Sequence, residues 1–203
     1  MTADQTLAAI TEQGVVGIVR AGTAEAGRTA ARTFLDAGLA AVEVSLTTPG
    51  ALETIESLTA GGAAVGAGTV RTLADARDVR AAGATFLVSP LLDVEVVRYA
   101  VENDLVALPG CLTPTEMATA QRAGAQLVKI FPAHLWSPAA LAGMLEAMPE
   151  LRCVPTGGVS AESAPAWVRA GAAAVGVGGS LTRAADPAAA VTALLAAIRE
   201  ARA

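Results

Sequence analysis

Lysine, histidine, cysteine and aromatic residues are all scarce in this chain of 203 residues, and each shortage removes a class of function. Phe, Trp and Tyr together make up 3% of it, and no stretch interleaves them with basic residues. The net charge is −5 and no basic block occurs, so nucleic acid is not an expected partner. The single histidine, His134, cannot build a histidine-rich zinc site, so no metal is expected and His134 reads as a loop residue. Cys111 and Cys153 lie far apart in apolar stretches, which predicts buried free thiols and fits a reducing cytoplasm. No apolar run approaches the ~20 residues of a membrane helix. Met1 to Gln5 shows no basic segment followed by an apolar one, so a cytoplasmic protein without membrane contact is expected. The two tryptophans, Trp136 and Trp167, read as packing or oligomer-contact residues.

Small aliphatic residues and glycine are plentiful instead; hydrophobic residues reach 53%. One pattern recurs: an amphipathic run ends in Ala-Gly, then a short apolar stretch follows. Asp36-Ala-Gly-Leu precedes Ala41-Val-Glu-Val-Ser, and Ala81-Ala-Gly-Ala precedes Thr85-Phe-Leu-Val-Ser. Arg122-Ala-Gly-Ala precedes Gln126-Leu-Val-Lys-Ile-Phe, and Arg169-Ala-Gly-Ala precedes Ala173-Ala-Val-Gly-Val. Gly38, Gly83, Gly124 and Gly171 stand where a residue just past a helix needs positive φ.

The apolar stretches read as buried parallel strands. Eight are expected, at about 14–19, 40–46, 63–67, 85–89, 105–109, 126–131, 151–155 and 173–177. A helix over 3–12 precedes the first strand and another, over 187–201, follows the last. The pattern predicts an α/β fold, a (β/α)8 TIM barrel, as a single domain over 1–203 with an N-terminal helix before the first strand. An open doubly wound sheet fits less well. Its first strand–helix junction, Val19-Arg20-Ala-Gly-Thr, lacks the glycine fingerprint of a dinucleotide site.

Thirteen arginines accompany one lysine, Lys129, which sits inside the apolar strand Leu127-Val-Lys-Ile-Phe131. Arginine carries charge at least as well, but it does not deprotonate near neutral pH. A desolvated lysine does, and its neutral amine attacks carbonyls. Alternation puts Leu127, Lys129 and Phe131 on one face, pointing inward in a barrel. Alternation in Ala41-Val-Glu-Val-Ser-Leu likewise puts Glu43 and Ser45 on one face. An inward Glu43 beside an inward Lys129 has the makings of a general acid/base. Gly157 and Gly158 follow the seventh strand, and Gly178, Gly179 and Ser180 follow the eighth. Barrel enzymes bind phosphate at those two loops, where glycine lets backbone N–H groups approach the anion and Ser180 offers a hydroxyl. Gly66-Ala-Gly68 reads as backbone room near Thr69 rather than a nucleotide motif.

With these residues in place, the chain resembles the bacterial 2-keto-3-deoxy-6-phosphogluconate (KDPG) aldolase family. That family includes the 6-phosphogalactonate and 4-hydroxy-2-oxoglutarate aldolases. The similar segments are Val19-Arg20, Val42-Glu-Val-Ser-Leu-Thr-Thr-Pro49, Gly66-Ala-Gly-Thr-Val70, Ser89-Pro90, Leu108-Pro-Gly110 and Thr113-Pro-Thr-Glu116. Lys129-Ile-Phe-Pro132, Pro155-Thr-Gly-Gly-Val159 and Gly176-Val-Gly-Gly-Ser180 complete the set, in family order. The resemblance implies a TIM-barrel lyase, usually a homotrimer, that needs no metal or organic cofactor and takes a small-molecule 2-keto acid to pyruvate. It implies Lys129 as the Schiff-base residue and Glu43 as the proton shuttle. It also implies Thr69 on the substrate carboxylate, Arg20 as a basic residue at the end of the first strand, and Pro90 and Phe131 along the pyruvate pocket. Some members carry an arginine that binds substrate anions where this chain has Thr47, so Arg20 is expected to supply the main guanidinium. Two other readings compete: a phosphosugar isomerase or epimerase, which leaves Lys129 without a task, and a catalytically idle barrel used as an assembly subunit.

Overall fold

The computed structural model describes all 203 residues. Helix α1 (Ala3–Gln13) comes first, followed by β1 (Val15–Val19), α2 (Ala24–Asp36), β2 (Ala41–Ser45) and α3 (Ala51–Thr59). Next are β3 (Ala64–Gly68), α4 (Leu73–Ala81), β4 (Phe86–Val88) and α5 (Val94–Glu102). The second half begins with β5 (Val106–Leu108), β6 (Gly110–Cys111), α6 (Pro114–Arg122), β7 (Val128–Ile130), a 3-10 turn (Ala133–Leu135) and α7 (Pro138–Ala147). It ends with β8 (Cys153–Pro155), α8 (Ala164–Arg169), β9 (Val175–Val177), the short α9 (Gly179–Thr182) and α10 (Pro187–Arg202).

Local chemistry explains these boundaries. Thr2, Thr72 and Thr113 open α1, α4 and α6 with reciprocal side-chain caps to Gln5, Asp75 and Glu116. The four Ala-Gly glycines close α2, α4, α6 and α8, and their φ angles lie between 83° and 101°, as their spacing predicts. No helix is long and apolar enough to cross a membrane.

All strand pairs are parallel and form a curled sheet of order β5-β4-β3-β2-β1-β9 and a smaller one of order β6-β7-β8. The expected fifth strand is two segments because Pro109, which has no N–H to donate, interrupts it. The Pro109 carbonyl still accepts from the Lys129 N–H at 3.0 Å. The later strands are shorter than expected: β7, β8 and β9 hold three residues each. At one seam between the sheets the Leu127 N–H donates to the Ala107 carbonyl at 3.4 Å. At the other, the Ala173 N–H donates to the Cys153 carbonyl at 2.9 Å and Thr156 pairs with Gly176.

The core has two parts. Outward strand residues pack under the helices with Phe34, Ile55, Met117, Trp167 and Ile198. Cys111 and Cys153 are free thiols in that layer, and burial pushes each up to about 12, so both are inert. Inward residues Val16, Ala41, Ala64, Phe86, Val106, Leu127, Val154 and Ala174 form a second cluster, which Ile10 of α1 joins. Each large apolar side chain buried in this way contributes about 1.5–3 kcal/mol. Helix α1 thus stoppers the end of the sheet where the strands begin. Arg202 fixes it there, donating to the carbonyls of Thr11, Glu12 and Ala173 at 2.9, 2.6 and 2.9 Å.

Candidate active site

Two residues beyond Ala41 and Leu127, the same inward face carries Glu43 and Lys129. Both are buried, at 3% and 6% exposure. Glycines make the room. A Cβ on Gly68 would overlap the Glu43 carboxylate, and one on Gly66 would overlap the Phe86 ring. The space expected from Gly66-Ala-Gly68 therefore serves Glu43 and the inner core.

Burial holds the Lys129 amine below its ordinary 10.5, against the opposing pull of the Glu43 charge; the Arg20 charge lowers it further. Burial also holds the Glu43 carboxyl above its ordinary 4.5, and here the charges of Lys129 and Arg20 work the other way. Desolvation is the largest cause for both, so burial moves each group toward its uncharged form. The Lys129 nitrogen stands 4.5 Å from the centroid of the Phe131 ring.

These groups face a cavity of about 290 Å3 beyond the C-terminal ends of the strands. It brings together Arg20, Glu43, Lys129, Phe131, Gly157, Gly158, Gly178 and Gly179. Thr156, Thr182 and Arg183 also line it, and sequence reasoning missed all three. Nothing in the sequence sets Arg183 apart from the other twelve arginines. Two guanidinium groups, Arg20 and Arg183, line the cavity of a chain whose net charge is −5, which suits an anionic ligand.

Four of the expected site residues lie outside the cavity lining. Thr47 and Thr69 are linked through the buried Ser45 hydroxyl, whose oxygen is 2.8 and 2.9 Å from theirs. Thr69 has a φ of 64°, a left-handed conformation unusual for a β-branched residue. Pro90 packs its backbone against Gly110. The Ser180 hydroxyl is enclosed and has no hydrogen-bond partner. His134 sits in the turn after β7, where its N–H donates to the Gly157 carbonyl at 3.1 Å. Trp136 is a packing residue whose indole N–H donates to the Leu112 carbonyl at 3.0 Å.

The model of the KDPG and KHG aldolase family matches residues 7–193. The chain belongs to that family. It is therefore an aldolase, a lyase that breaks a carbon–carbon bond. It is 33% identical over 178 residues to the 2-dehydro-3-deoxy-6-phosphogalactonate aldolase of Escherichia coli K12, which covers 86% of this chain and 87% of that one. It is 39% identical over 129 residues to the 2-dehydro-3-deoxy-phosphogluconate aldolase of Pseudomonas aeruginosa, covering 61% and 57% of the two chains. Among solved structures, one described as native KDPGal superposes with a TM-score of 0.86 at 33% identity, covering 93% of this aldolase and 95% of that chain.

Proposed function

We propose that this aldolase cleaves 2-keto-3-deoxy-6-phosphogluconate to pyruvate and glyceraldehyde 3-phosphate through a Schiff base on Lys129. The observation that carries the proposal is a buried, pKa-lowered lysine sharing one anion-suited cavity with a buried glutamate.

The neutral Lys129 amine attacks C2 of the keto acid. Glu43 moves protons as the carbinolamine loses water, so the oxygen leaves as water and an iminium remains. Cleavage of the C3–C4 bond sends its electron pair into the iminium and gives an enamine, while Glu43 takes the C4 hydroxyl proton. The aldehyde departs, C3 is reprotonated, and water releases pyruvate and the free amine. Arg20 orients the substrate carboxylate, with the hydroxyl chain Thr47–Ser45–Thr69 at the ends of β2 and β3 assisting. Phe131 and Pro90 shape the pyruvate end, and the loops of Gly157, Gly158, Gly178 and Gly179 hold the phosphate. Binding energy from that remote end positions the reacting carbons.

One observation favours a second substrate on the same site. The similarity to a phosphogalactonate aldolase spans more of this chain than the similarity to a phosphogluconate aldolase, 86% against 61%. The two substrates differ in configuration at one carbon, and either is compatible with the same lysine chemistry, as is 4-hydroxy-2-oxoglutarate. Two finer features complete the proposal. The sheets are arcs of one closed (β/α)8 barrel, supported by the hydrogen bonds at both seams. The assembly is a homotrimer, a reading that rests on the family resemblance, and Leu91, Leu112 and Leu135, exposed at 44%, 39% and 62%, offer apolar surface for contact between copies. The free thiols fit a cytoplasmic location.

Borohydride reduction in the presence of pyruvate is the test. A reduced adduct on Lys129, lost in Lys129→Ala together with all turnover, is the expected result. Normal cleavage by Lys129→Ala refutes the scheme.

A further inference from the structure

Two guanidinium groups line the cavity, that of Arg20 just after β1 and that of Arg183 just after α9. Arg20 lies close enough to bias the charge of both Lys129 and Glu43. Arg183 lines the same cavity. It follows α9 directly, and its guanidinium lies against Gly179 rather than against a carboxylate. A Cβ at Gly179 would stand 2.5 Å from Arg183 Nη1 and 2.7 Å from Nη2, so in this position the guanidinium lies directly over the glycine. Gly157, Gly158, Gly178 and Gly179 line the cavity with it and offer backbone, but backbone brings no countercharge. Ser180, the hydroxyl donor expected in that loop, is enclosed and is not among the residues lining the cavity. Arg183 is therefore the charged donor beside the glycine loop.

We propose that Arg183 recognises the distal phosphate monoester of the substrate and sets the preference for phosphorylated over unphosphorylated 2-keto acids. This rests on the aldolase reading above and adds a specificity residue to it. A guanidinium presents a planar fork to a phosphate dianion, and such charge-assisted pairs are about twice as strong as neutral hydrogen bonds. Because the contact forms away from the bond that breaks, its loss acts on binding and positioning of the phosphorylated substrate and leaves imine chemistry in place.

Steady-state kinetics on 2-keto-3-deoxy-6-phosphogluconate and on the same acid without phosphate test the assignment. In Arg183→Gln the ratio of the two kcat/KM values falls about tenfold or more, mostly through KM for the phosphorylated acid. Inorganic phosphate inhibits the parent enzyme competitively and the variant more weakly, and Arg183→Lys recovers part of the loss. The pyruvate adduct on Lys129 still forms in the variant, which separates this effect from misfolding. Equal losses on both acids, or no loss on either, overturn the Arg183 assignment while the adduct upholds the aldolase reading. A parent enzyme that forms no pyruvate adduct overturns the aldolase reading, and the assignment with it.

Discussion

Replacing Gly68 by alanine adds one methyl group and should cost far more activity than stability. A Cβ at that position would stand 2.8 Å from Glu43 Cγ and 2.5 Å from Cδ, and would overlap Oε1. Retreat of Cδ from 2.5 Å to the 3.4 Å edge of ordinary contact is a shift of about 0.9 Å. Gly68 does not sit at positive φ, so the added methyl brings no backbone strain. Overpacking of this kind costs about 1–3 kcal/mol, and the reduced freedom of the unfolded chain returns about 0.4–1 kcal/mol. A net loss of roughly 1–2 kcal/mol lowers Tm by about 2–8 °C in a domain of this size. A catalytic carboxylate displaced by about 1 Å costs about 100-fold in turnover. The assay is kcat on the phosphorylated keto acid beside a thermal melt, with the pyruvate-trapping rate as a direct reading of imine formation. Gly68→Ala combined with Glu43→Asp, which shortens the crowded side chain, should melt higher than Gly68→Ala alone. A Gly68→Ala enzyme with unchanged kcat and unchanged Tm refutes the steric reasoning.

The buried pair makes stability depend on pH in a defined way. The raised carboxyl of Glu43 makes stability fall as pH rises from 4.5 through its folded pKa. The lowered amine of Lys129 restores stability as pH rises from its folded pKa toward 10.5. The double variant Lys129→Met with Glu43→Gln should therefore melt above the parent between those two folded values, with the gap closing toward pH 4.5 and 10.5; a constant gap across the range counts against this. Arg202→Ala removes three hydrogen bonds that hold α1 and should cost roughly 1–3 kcal/mol in a urea melt with little change in kcat.

Lys129 and Glu43 were legible because two independent signals met at each: a charged residue type inside an apolar run, and period-two alternation that aims it inward. The Ala-Gly helix ends were legible because positive φ selects glycine. The break of the fifth strand was legible in principle, since Pro109 cannot donate, but a run of apolar residues on both sides hides it. Arg183 was not legible: it looks like any other of thirteen arginines until the chain folds it over Gly179. The left-handed Thr69 was equally hidden, because its conformation depends on neighbours such as Ser45, Val70 and Val88, brought together by strand pairing. Thr47, Thr69 and Pro90 entered through resemblance alone, and a shared motif does not say which wall of a cavity a side chain faces.

Arg202, one residue from the C-terminus, grips the last turn of α1, while the Ala3 N–H reaches Asp104 just ahead of β5. Both tails consequently emerge on the side where strands begin, and substrate enters on the side where they finish. A tag, a tether or a fused partner can be attached at either extremity without standing in front of the entrance.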